Sequence, residues 1–207
     1  MEYIKTYFFE DLDKINVISD YLANKESYII NNYPFVSSYN TGLEENNVIT
    51  RSGAYNVFKL DDNPVVMDEY LSFISNSYYD YIDNVLPNKT FNNVDISPGL
   101  NCWLNVIREN EKIAMHKHSE HDGDLWSFVS ATSVLNASNT STNYEYKNEV
   151  VSINNTIGSL TIFPPFYNHW TDIHNSTEKR ITLGMDISFH KEGCIGCESY
   201  SSNLVAL

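Results

Sequence analysis

A chain of 207 residues can build one substantial hydrophobic core, and we expect a single domain spanning 1–207. Its formal net charge is −14, with 13 Lys and Arg residues against 27 Asp and Glu residues. This balance argues against nucleic acid, whose binding depends on neutralising phosphates, and favours a small-molecule or protein substrate. Because the sequence shows neither a signal-peptide pattern nor a run of about 18 apolar residues, we expect a cytoplasmic protein without a membrane span.

The first part of the chain, about residues 1–92, is predicted to form a helical and mixed N-terminal layer. Apolar residues within Leu12–Leu22 recur at spacings of three and four, which predicts a helix over 11–26. Alternating apolar residues predict a short strand over 55–60. Helical spacing then returns and predicts a second helix over about 65–84, whose tyrosines we interpret as a packing face.

From about 93 to 190 the pattern changes to short β-branched and aromatic segments separated by polar breaks. Such spacing is typical of a β-sandwich or barrel, so the predicted fold class is mainly β with α, with the N-terminal helices packed on one β-core. A Ser/Thr/Asn-rich loop is predicted over 136–143, and 191–207 is interpreted as a C-terminal tail. The predicted strands cover 101–107, 113–118, 125–135, 144–146, 149–153, 160–163 and 181–188.

Three histidines and one arginine carry the functional signal. His116 and His118 stand two residues apart, so a strand would point both imidazoles to the same face. His169 follows His116 by 53 residues and could close a metal site, and Arg180, 11 residues further, could hold a planar carboxylate. This combination predicts a non-heme iron oxygenase that uses an oxo-acid cosubstrate.

Two segments, Asn105–Asp124 and Gly158–Asp186, resemble the 2-oxoglutarate- and Fe(II)-dependent oxygenases, in particular their small bacterial and phage-type members. In the second segment a Gly-x-Leu-x-x-Phe-Pro run leads into a histidine, and Arg-x-Thr follows. The resemblance covers about residues 99–190, and it implies a double-stranded β-helix, or jelly-roll, core. It also implies Fe(II) as the metal and 2-oxoglutarate as the cosubstrate, which is oxidatively decarboxylated to succinate and CO₂.

The resemblance assigns roles to individual residues. It makes His116 the first iron ligand and His169 the distal one, and it makes Arg180 the partner of the far carboxylate of 2-oxoglutarate. Thr182 is expected to assist Arg180, and Asn105 is expected to point inward and help to hold the cosubstrate.

The third iron ligand departs from the family pattern, in which an Asp or Glu follows the first histidine by two residues. One interpretation is a three-histidine site of His116, His118 and His169. Another shifts the motif by two residues, so that His118 and Glu120 become the pair and a carboxylate ligand is restored. Both keep the same spacing, so strand periodicity does not decide between them. Further candidates come from the loop that follows: His121, Asp122 and Asp124.

Two rival functions remain open on the sequence. A cupin-like metalloenzyme could use three histidines without an oxo-acid, in which case Arg180 would bind a carboxylate of the substrate. A non-enzymatic jelly-roll binding or structural module would make the histidines incidental. Outside this set, Cys194 and Cys197 are interpreted as reduced, non-catalytic thiols, since the chain has no second Cys-x-x-Cys pair. His174 and His190 are interpreted as solvated surface residues.

Overall fold

The computed structural model describes residues 3–33, 54–85, 97–119, 128–136, 140–190 and 203–207. Two helices and nine strands lie within these residues, and their order along the chain places both helices before most of the strands. They are β1 (Lys5–Phe8), α1 (Leu12–Asn32), α2 (Val66–Val85), β2 (Ser97–Ile107), β3 (Phe128–Asn136), β4 (Ser141–Tyr146), β5 (Glu149–Asn154), β6 (Ser159–Phe163), β7 (Asn168–Thr171), β8 (Arg180–His190) and β9 (Val205–Ala206).

The strands form two antiparallel sheets. The larger sheet has the order β1-β6-β3-β8-β2-β9, and the smaller one has the order β5-β4-β7. Both helices contact strands of the larger sheet, α1 against β2 and β3, and α2 against β1 and β6. The predicted fold class is therefore confirmed: mainly β with α, with a jelly-roll core flanked by N-terminal helices.

Alternation along β8 divides the larger sheet into two faces. Ile181, Leu183, Met185 and Ile187 are buried and belong to the hydrophobic core that the helices cover. The intervening residues therefore point to the opposite face, toward the smaller sheet. The polar residues of β8 lie on this inner face, where the functional site is built.

Helix α1 begins where the sequence predicts and continues beyond the predicted end at residue 26. Asp11 caps its start, since the Asp11 carboxylate accepts a hydrogen bond of 3.1 Å from the backbone N–H of Lys14. The buried face of α1 gains a further turn through Ile29, and the helix ends only at Asn32. Asn31 and Asn32 have weak helix propensity, but packing of Ile29 outweighs it.

Helix α2 agrees with its prediction within one residue at each end. Tyr70, Tyr78 and Tyr81 are at most 2% exposed and belong to the main core, which confirms the packing face for these three, whereas Tyr79 is 45% exposed. The Tyr70 hydroxyl makes a hydrogen bond with Ser133 on β3, so the phenol is satisfied in the core.

The strand predicted over 55–60 is wrong, because a 3-10 turn lies at Val57–Lys59. The Asn56 side chain explains the difference. Its carbonyl accepts from the backbone N–H of Phe58 at 3.1 Å, and its amide donates to the backbone carbonyl of Leu100 at 2.7 Å. A capping side chain anchored on β2 thus overrides the alternation of apolar residues.

Most of the other predicted strands are found, with boundaries moved by a few residues. The prediction missed the three short strands β1, β7 and β9, and the loop predicted over 136–143 is already strand β4 from Ser141 onward. Strand β1 pairs with β6, with Lys5 opposite Ile162, so the N-terminal segment contributes an edge to the larger sheet. In the part of the chain that the structure describes, no helix combines the length and apolar character that crossing a membrane requires.

Candidate metal and oxo-acid site

The inner face of the larger sheet presents its polar residues in transverse rows. Asp186 of β8 lies between Ser130 of β3 and Asn101 of β2 in the strand register. Two residues before Asp186 on β8, Gly184 lies opposite Trp103 of β2. A Cβ atom on Gly184 would lie only 2.5 Å from the Trp103 ring. This glycine is what allows the indole to lie flat over β8, next to the histidines.

The histidines approach this face from the opposite side. His116 forms an isolated antiparallel bridge with His169 of β7, in which the two residues exchange backbone hydrogen bonds of 3.1 and 2.8 Å. The backbone N–H of His118 donates to the carbonyl of Pro165 at 2.8 Å, which continues the contact. The strand predicted over 113–118 is therefore wrong as a regular strand, since only the bridge at His116 is formed there.

The structure brings His116, His118 and His169 together. One ring nitrogen of each lies within 4.8 Å of those of the other two, a spacing that a single metal ion could span. The ring centroids are 4.2 Å apart for His116 and His169, and 5.0 Å apart for His118 and His169. Trp103 covers the group from one side, with its ring 5.9 Å from that of His118.

Hydrogen bonds fix which nitrogen of each imidazole is available. Nδ1 of His116 lies 2.8 Å from the carbonyl of Ala114, and Nδ1 of His169 lies 3.2 Å from the carbonyl of Tyr167. Nδ1 of His118 lies 2.7 Å from Oδ1 of Asp186. Because each partner is an acceptor, each Nδ1 carries the proton and each neutral ring keeps its lone pair on Nε2. Three orientated Nε2 lone pairs are a ligand set for a transition metal.

The charges of the three imidazoles differ. Burial lowers the pKa of His116 to about 4, and the neighbouring His118 adds to this effect. Burial, together with His116 and His118, holds the pKa of His169 well below its usual value. For His118 burial acts in the same direction, but the charge and hydrogen bond of Asp186 outweigh it and raise the pKa. Two of the three rings are therefore neutral at physiological pH without a metal.

Arg180 is a buried cation with spare donors. Its side chain is 1% exposed, and Nη2 donates to the Thr142 hydroxyl at 3.3 Å. Nε and Nη1 are buried and make no hydrogen bond to any part of the chain that the structure describes. Burial lowers the pKa of Arg180 to about 10, so the guanidinium stays charged at neutral pH. A carboxylate could pair with either of these nitrogens, together with the second N–H of Nη2, in the bidentate geometry that a guanidinium offers.

The polar neighbours of Arg180 come from both sheets. Thr182 follows Arg180 on the inner face of β8, and Asn105 lies opposite it with its amide 3.3 Å from the Thr182 hydroxyl. The buried Oδ1 of Asn105 has no partner among the described residues. Tyr144 of the smaller sheet is also buried near Arg180. Burial raises the pKa of its phenol, and the charge of Arg180 offsets only part of this rise.

Several residues of the site were missed in the sequence. Thr142 and Tyr144 reach Arg180 from β4, and Ser130 and Asp186 contact His118 from the larger sheet. Asp186 had a signal in the sequence, since it lies six residues after Arg180 and so shares its face on a strand. The residues of β4 had no such signal in the sequence, because their contact with Arg180 depends on how the smaller sheet covers the larger one.

Other predicted candidates fall elsewhere. His174 was interpreted as a solvated surface residue, and this is wrong: it is 1% exposed, and its Nε2 lies 2.6 Å from the carbonyl of Glu178. Its backbone N–H donates to Glu111, so the ring is buried as part of a tight loop contact. The remaining candidates are not covered by the structure. Glu120, His121, Asp122, Asp124, Cys194 and Cys197 lie outside the described residues, and so does the side chain of His190.

No family model matches the chain, and no curated protein matches its sequence. Solved structures do match its fold. A prolyl-4-hydroxylase from Pseudomonas putida is similar with a TM-score of 0.63 and 11% identity, over 92% of this chain and 95% of that one. The non-heme alpha-ketoglutarate-dependent carbocyclase SnoK of nogalamycin biosynthesis is similar with a TM-score of 0.61 and 9% identity, over 97% and 86% of the two chains.

A prolyl hydroxylase from Trichoplax adhaerens, in complex with a peptide fragment of the hypoxia-inducible factor oxygen degradation domain, is also similar. Its TM-score is 0.57 at 15% identity, over 91% of this chain and 84% of that one. At such identities the likeness establishes the fold, which this chain shares with 2-oxoglutarate oxygenases. The resemblance drawn from the sequence is confirmed at that level.

Proposed function

We propose that this chain is an Fe(II)- and 2-oxoglutarate-dependent dioxygenase that hydroxylates a small-molecule or protein substrate. His116, His118 and His169 bind the iron, and Arg180 binds the far carboxylate of 2-oxoglutarate. The observation that carries this proposal is the pairing of two features on one inner face: three imidazoles with Nε2 lone pairs, and a buried guanidinium with two nitrogens that have no partner among the described residues. The cytoplasmic location expected from the sequence stays a prediction.

The three imidazoles fit an iron ion. Neutral imidazole suits Fe, and a site with three protein ligands would leave room at the metal for an oxo-acid and O₂. When bound, Fe(II) supplies the activation of O₂ that is coupled to oxidative decarboxylation of the oxo-acid. The chain contributes rings whose Nδ1–H groups are already held, so that no imidazole has to change its tautomer to bind the metal.

The surroundings of Arg180 fit a carboxylate. Two charged donors buried without a partner among the described residues are costly, so an anion that accepts from Nε or from Nη1 is stabilised there. Asn105 and Thr182 add polar groups beside it, and rotation of the Asn105 amide would turn its nitrogen into a further donor. A dicarboxylate with one end at Arg180 and the other at the histidines would lie along the inner face of β8.

A cupin-like three-histidine metalloenzyme without an oxo-acid is the second candidate. One observation favours this candidate: among the described residues, the group that could hold a metal consists of three imidazoles and includes no carboxylate. In that case Arg180 would bind a carboxylate of the substrate itself. The described side chains support the three-histidine set, whereas the alternative ligand Glu120 lies outside the described residues.

Calorimetric titration of 2-oxoglutarate into Mn(II)-loaded and metal-free protein separates the two candidates. The proposal predicts binding at one molecule per chain that requires the metal, because the oxo-acid is held at both ends. Succinate, which keeps the far carboxylate but lacks the keto group, serves as the matched ligand control and should bind more weakly. Metal binding without any response to 2-oxoglutarate would favour the second candidate. Failure to bind Mn(II), Co(II) or Fe(II) would contradict both.

A further inference from the structure

Asp186 and Ser130 form a small network behind His118. Oδ1 of Asp186 accepts from Nδ1 of His118 at 2.7 Å and from the Ser130 hydroxyl at 2.7 Å. Ser130 also lies 3.1 Å from Nδ1 of His118, so the three groups form a closed triangle. Ser130 is fully buried, and its register opposite Asp186 in the pair of β3 and β8 fixes the hydroxyl in place.

The network introduces the only negative charge that is hydrogen-bonded to the described imidazoles. Nδ1 of His116 and of His169 each lie against a backbone carbonyl, whereas Nδ1 of His118 lies against a carboxylate. A divalent ion bound by three neutral imidazoles would keep its full charge of +2 in a site with little solvent. Such a charge is unfavourable unless a nearby anion compensates it.

We propose that Asp186 supplies through His118 the negative charge that a carboxylate ligand would otherwise supply directly to the metal. This inference rests on the metal site proposed above. His118 occupies the chain position at which the resemblance leads one to expect an Asp or Glu ligand, and Asp186 is the carboxylate in contact with it. The negative charge therefore lies on Asp186, the hydrogen-bond partner of the ligand His118, and not on the ligand itself.

Asp186 is accordingly a positioning residue that also compensates charge. Its hydrogen bond holds the His118 ring with Nε2 toward the metal, and a carboxylate on Nδ1–H makes an imidazole a stronger donor to a metal. Ser130 supports it by holding Oδ1, so that the carboxylate does not rotate away from His118. Asn101, whose Oδ1 is buried without a partner among the described residues, lies beside Asp186 in the strand register and adds no charge there.

The test compares Asp186→Asn with wild type and with Asp20→Asn. Asparagine keeps the shape and one acceptor oxygen but removes the charge, and Asp20 lies on the exposed face of α1, far from the histidines in the fold. Co(II) serves as the probe, followed by its visible absorption. Asp186→Asn should weaken Co(II) binding by about 10- to 100-fold. Asp20→Asn should bind Co(II) as wild type does, and Ser130→Ala should give a smaller loss than Asp186→Asn.

A second readout separates charge from ring orientation. Azide titrated into Co(II)-loaded protein should bind Asp186→Asn about tenfold or more tightly than wild type, because the site has one more positive charge. Unchanged Co(II) affinity in Asp186→Asn would overturn the inference. Weaker Co(II) binding with unchanged azide affinity would also overturn it, since Asp186 would then only orient the ring.

The outcomes also separate this inference from the proposed function. If wild type fails to bind Co(II), the metal site itself is wrong and both fall. If wild type binds Co(II) without responding to 2-oxoglutarate, the oxo-acid proposal falls, and the comparison of Asp186→Asn with wild type still decides the role of Asp186. Thermal unfolding of each variant confirms that the compared proteins are folded.

Discussion

His116 and His169 exchange both of their backbone hydrogen bonds, although 53 residues separate them in the chain. Their imidazoles meet, with centroids 4.2 Å apart, as a consequence of this backbone pairing. Since main-chain atoms hold the pair, either ring can be removed without removing the bridge. The histidines can therefore be tested for metal binding separately from the fold.

His169→Ala should abolish Fe(II) and Co(II) binding, because two imidazoles on a loop-like segment are a poor site for a divalent ion. We expect a loss of at least about 100-fold in affinity, measured by anaerobic titration, with the circular dichroism spectrum retained. Asn168→Ala is the matched control, since the neighbouring amide on β7 donates to Glu145 at 3.1 Å and not to the site. Equal metal affinity in His169→Ala and Asn168→Ala would show that His169 is not a ligand.

Arg180→Met should retain the metal and lose 2-oxoglutarate. Truncating the buried partner of a carboxylate costs about 2–5 kcal/mol, or at least about 30-fold in affinity. Without ligand, the same change removes two buried donors that no described residue satisfies, and it should leave the free energy of unfolding unchanged or raise it by about 1–3 kcal/mol. Calorimetry and urea unfolding measure the two effects.

Lys179→Met is the control for the arginine. Lys179 precedes Arg180 but binds Glu26 at 2.8 Å, outside the inner face. The Lys179→Met variant should bind 2-oxoglutarate as wild type does. Unchanged oxo-acid affinity in Arg180→Met would show that the guanidinium does not hold the cosubstrate.

Glu26→Gln should destabilise the fold strongly for a single charge change. The Glu26 carboxylate is buried within α1 and binds both Arg108, just after β2, and Lys179, just before β8. Because water can still solvate the two partly exposed cations, we expect the free energy of unfolding, measured in urea, to fall by only about 1–3 kcal/mol. Glu69→Gln removes the exposed pair with Lys14 and should cost less than about 1 kcal/mol. Equal losses would contradict a special role for Glu26.

Mild acid should destabilise the metal-free protein. His116 and His169, whose pKa values lie at about 4 and well below the usual value, stay neutral in the folded chain. Unfolded imidazoles, with a pKa of about 6.5, take up protons, so the free energy of unfolding falls as the pH drops below that value. The pKa of His118 is raised by Asp186, so the folded chain binds that proton more readily than the unfolded chain does, and His118 does not contribute to this loss of stability.

Urea unfolding between pH 6.5 and 5 measures this slope before most carboxylates titrate. His169→Gln removes one of the two imidazoles that take up a proton, so its slope should be about half that of wild type. A slope that does not change in His169→Gln would show that the buried imidazoles are not the source of the acid sensitivity.

Gly184→Ala should displace Trp103, because the added Cβ would lie 2.5 to 2.7 Å from three atoms of the indole. We expect a loss of about 1–3 kcal/mol in stability and a changed tryptophan signal in near-ultraviolet circular dichroism. Gly99→Ala is the control, since its Cβ would approach the end of the flexible Leu204 side chain at 2.9 Å. If both substitutions cost the same and leave the tryptophan signal unchanged, the indole does not depend on Gly184.

The sequence predicted best where a single periodicity governed a long element. The helix at Val66–Val85 and the strand at Arg180–His190 have long, regular patterns, so their positions were predicted closely. The segment 113–118 has a strand-like composition but forms only an isolated bridge to β7 at His116 and one further backbone hydrogen bond at Ile113, and composition does not reveal such pairing. The same limit explains the missed strand β7, whose four residues are too few for a periodic signal.

The site was predicted in part for a similar reason. His116, His118, His169 and Arg180 could be proposed from residue type and spacing, and the structure does bring the three histidines together. The bond from His118 to Asp186 spans 68 residues and depends on how the segment that carries His118 lies over β8, which no local pattern encodes. Contacts made between the sheets are therefore the part that required the fold.

Anaerobic addition of Fe(II) and 2-oxoglutarate to the protein, followed by visible absorption, tests the central claim most directly. We expect a weak charge-transfer band that appears only when both components are present, since it would require the oxo-acid to bind iron held by the three histidines. The band should be absent in His169→Ala and should need much more 2-oxoglutarate in Arg180→Met. Iron binding with no band at any 2-oxoglutarate concentration, in wild type, would show that the protein does not use 2-oxoglutarate at this iron site.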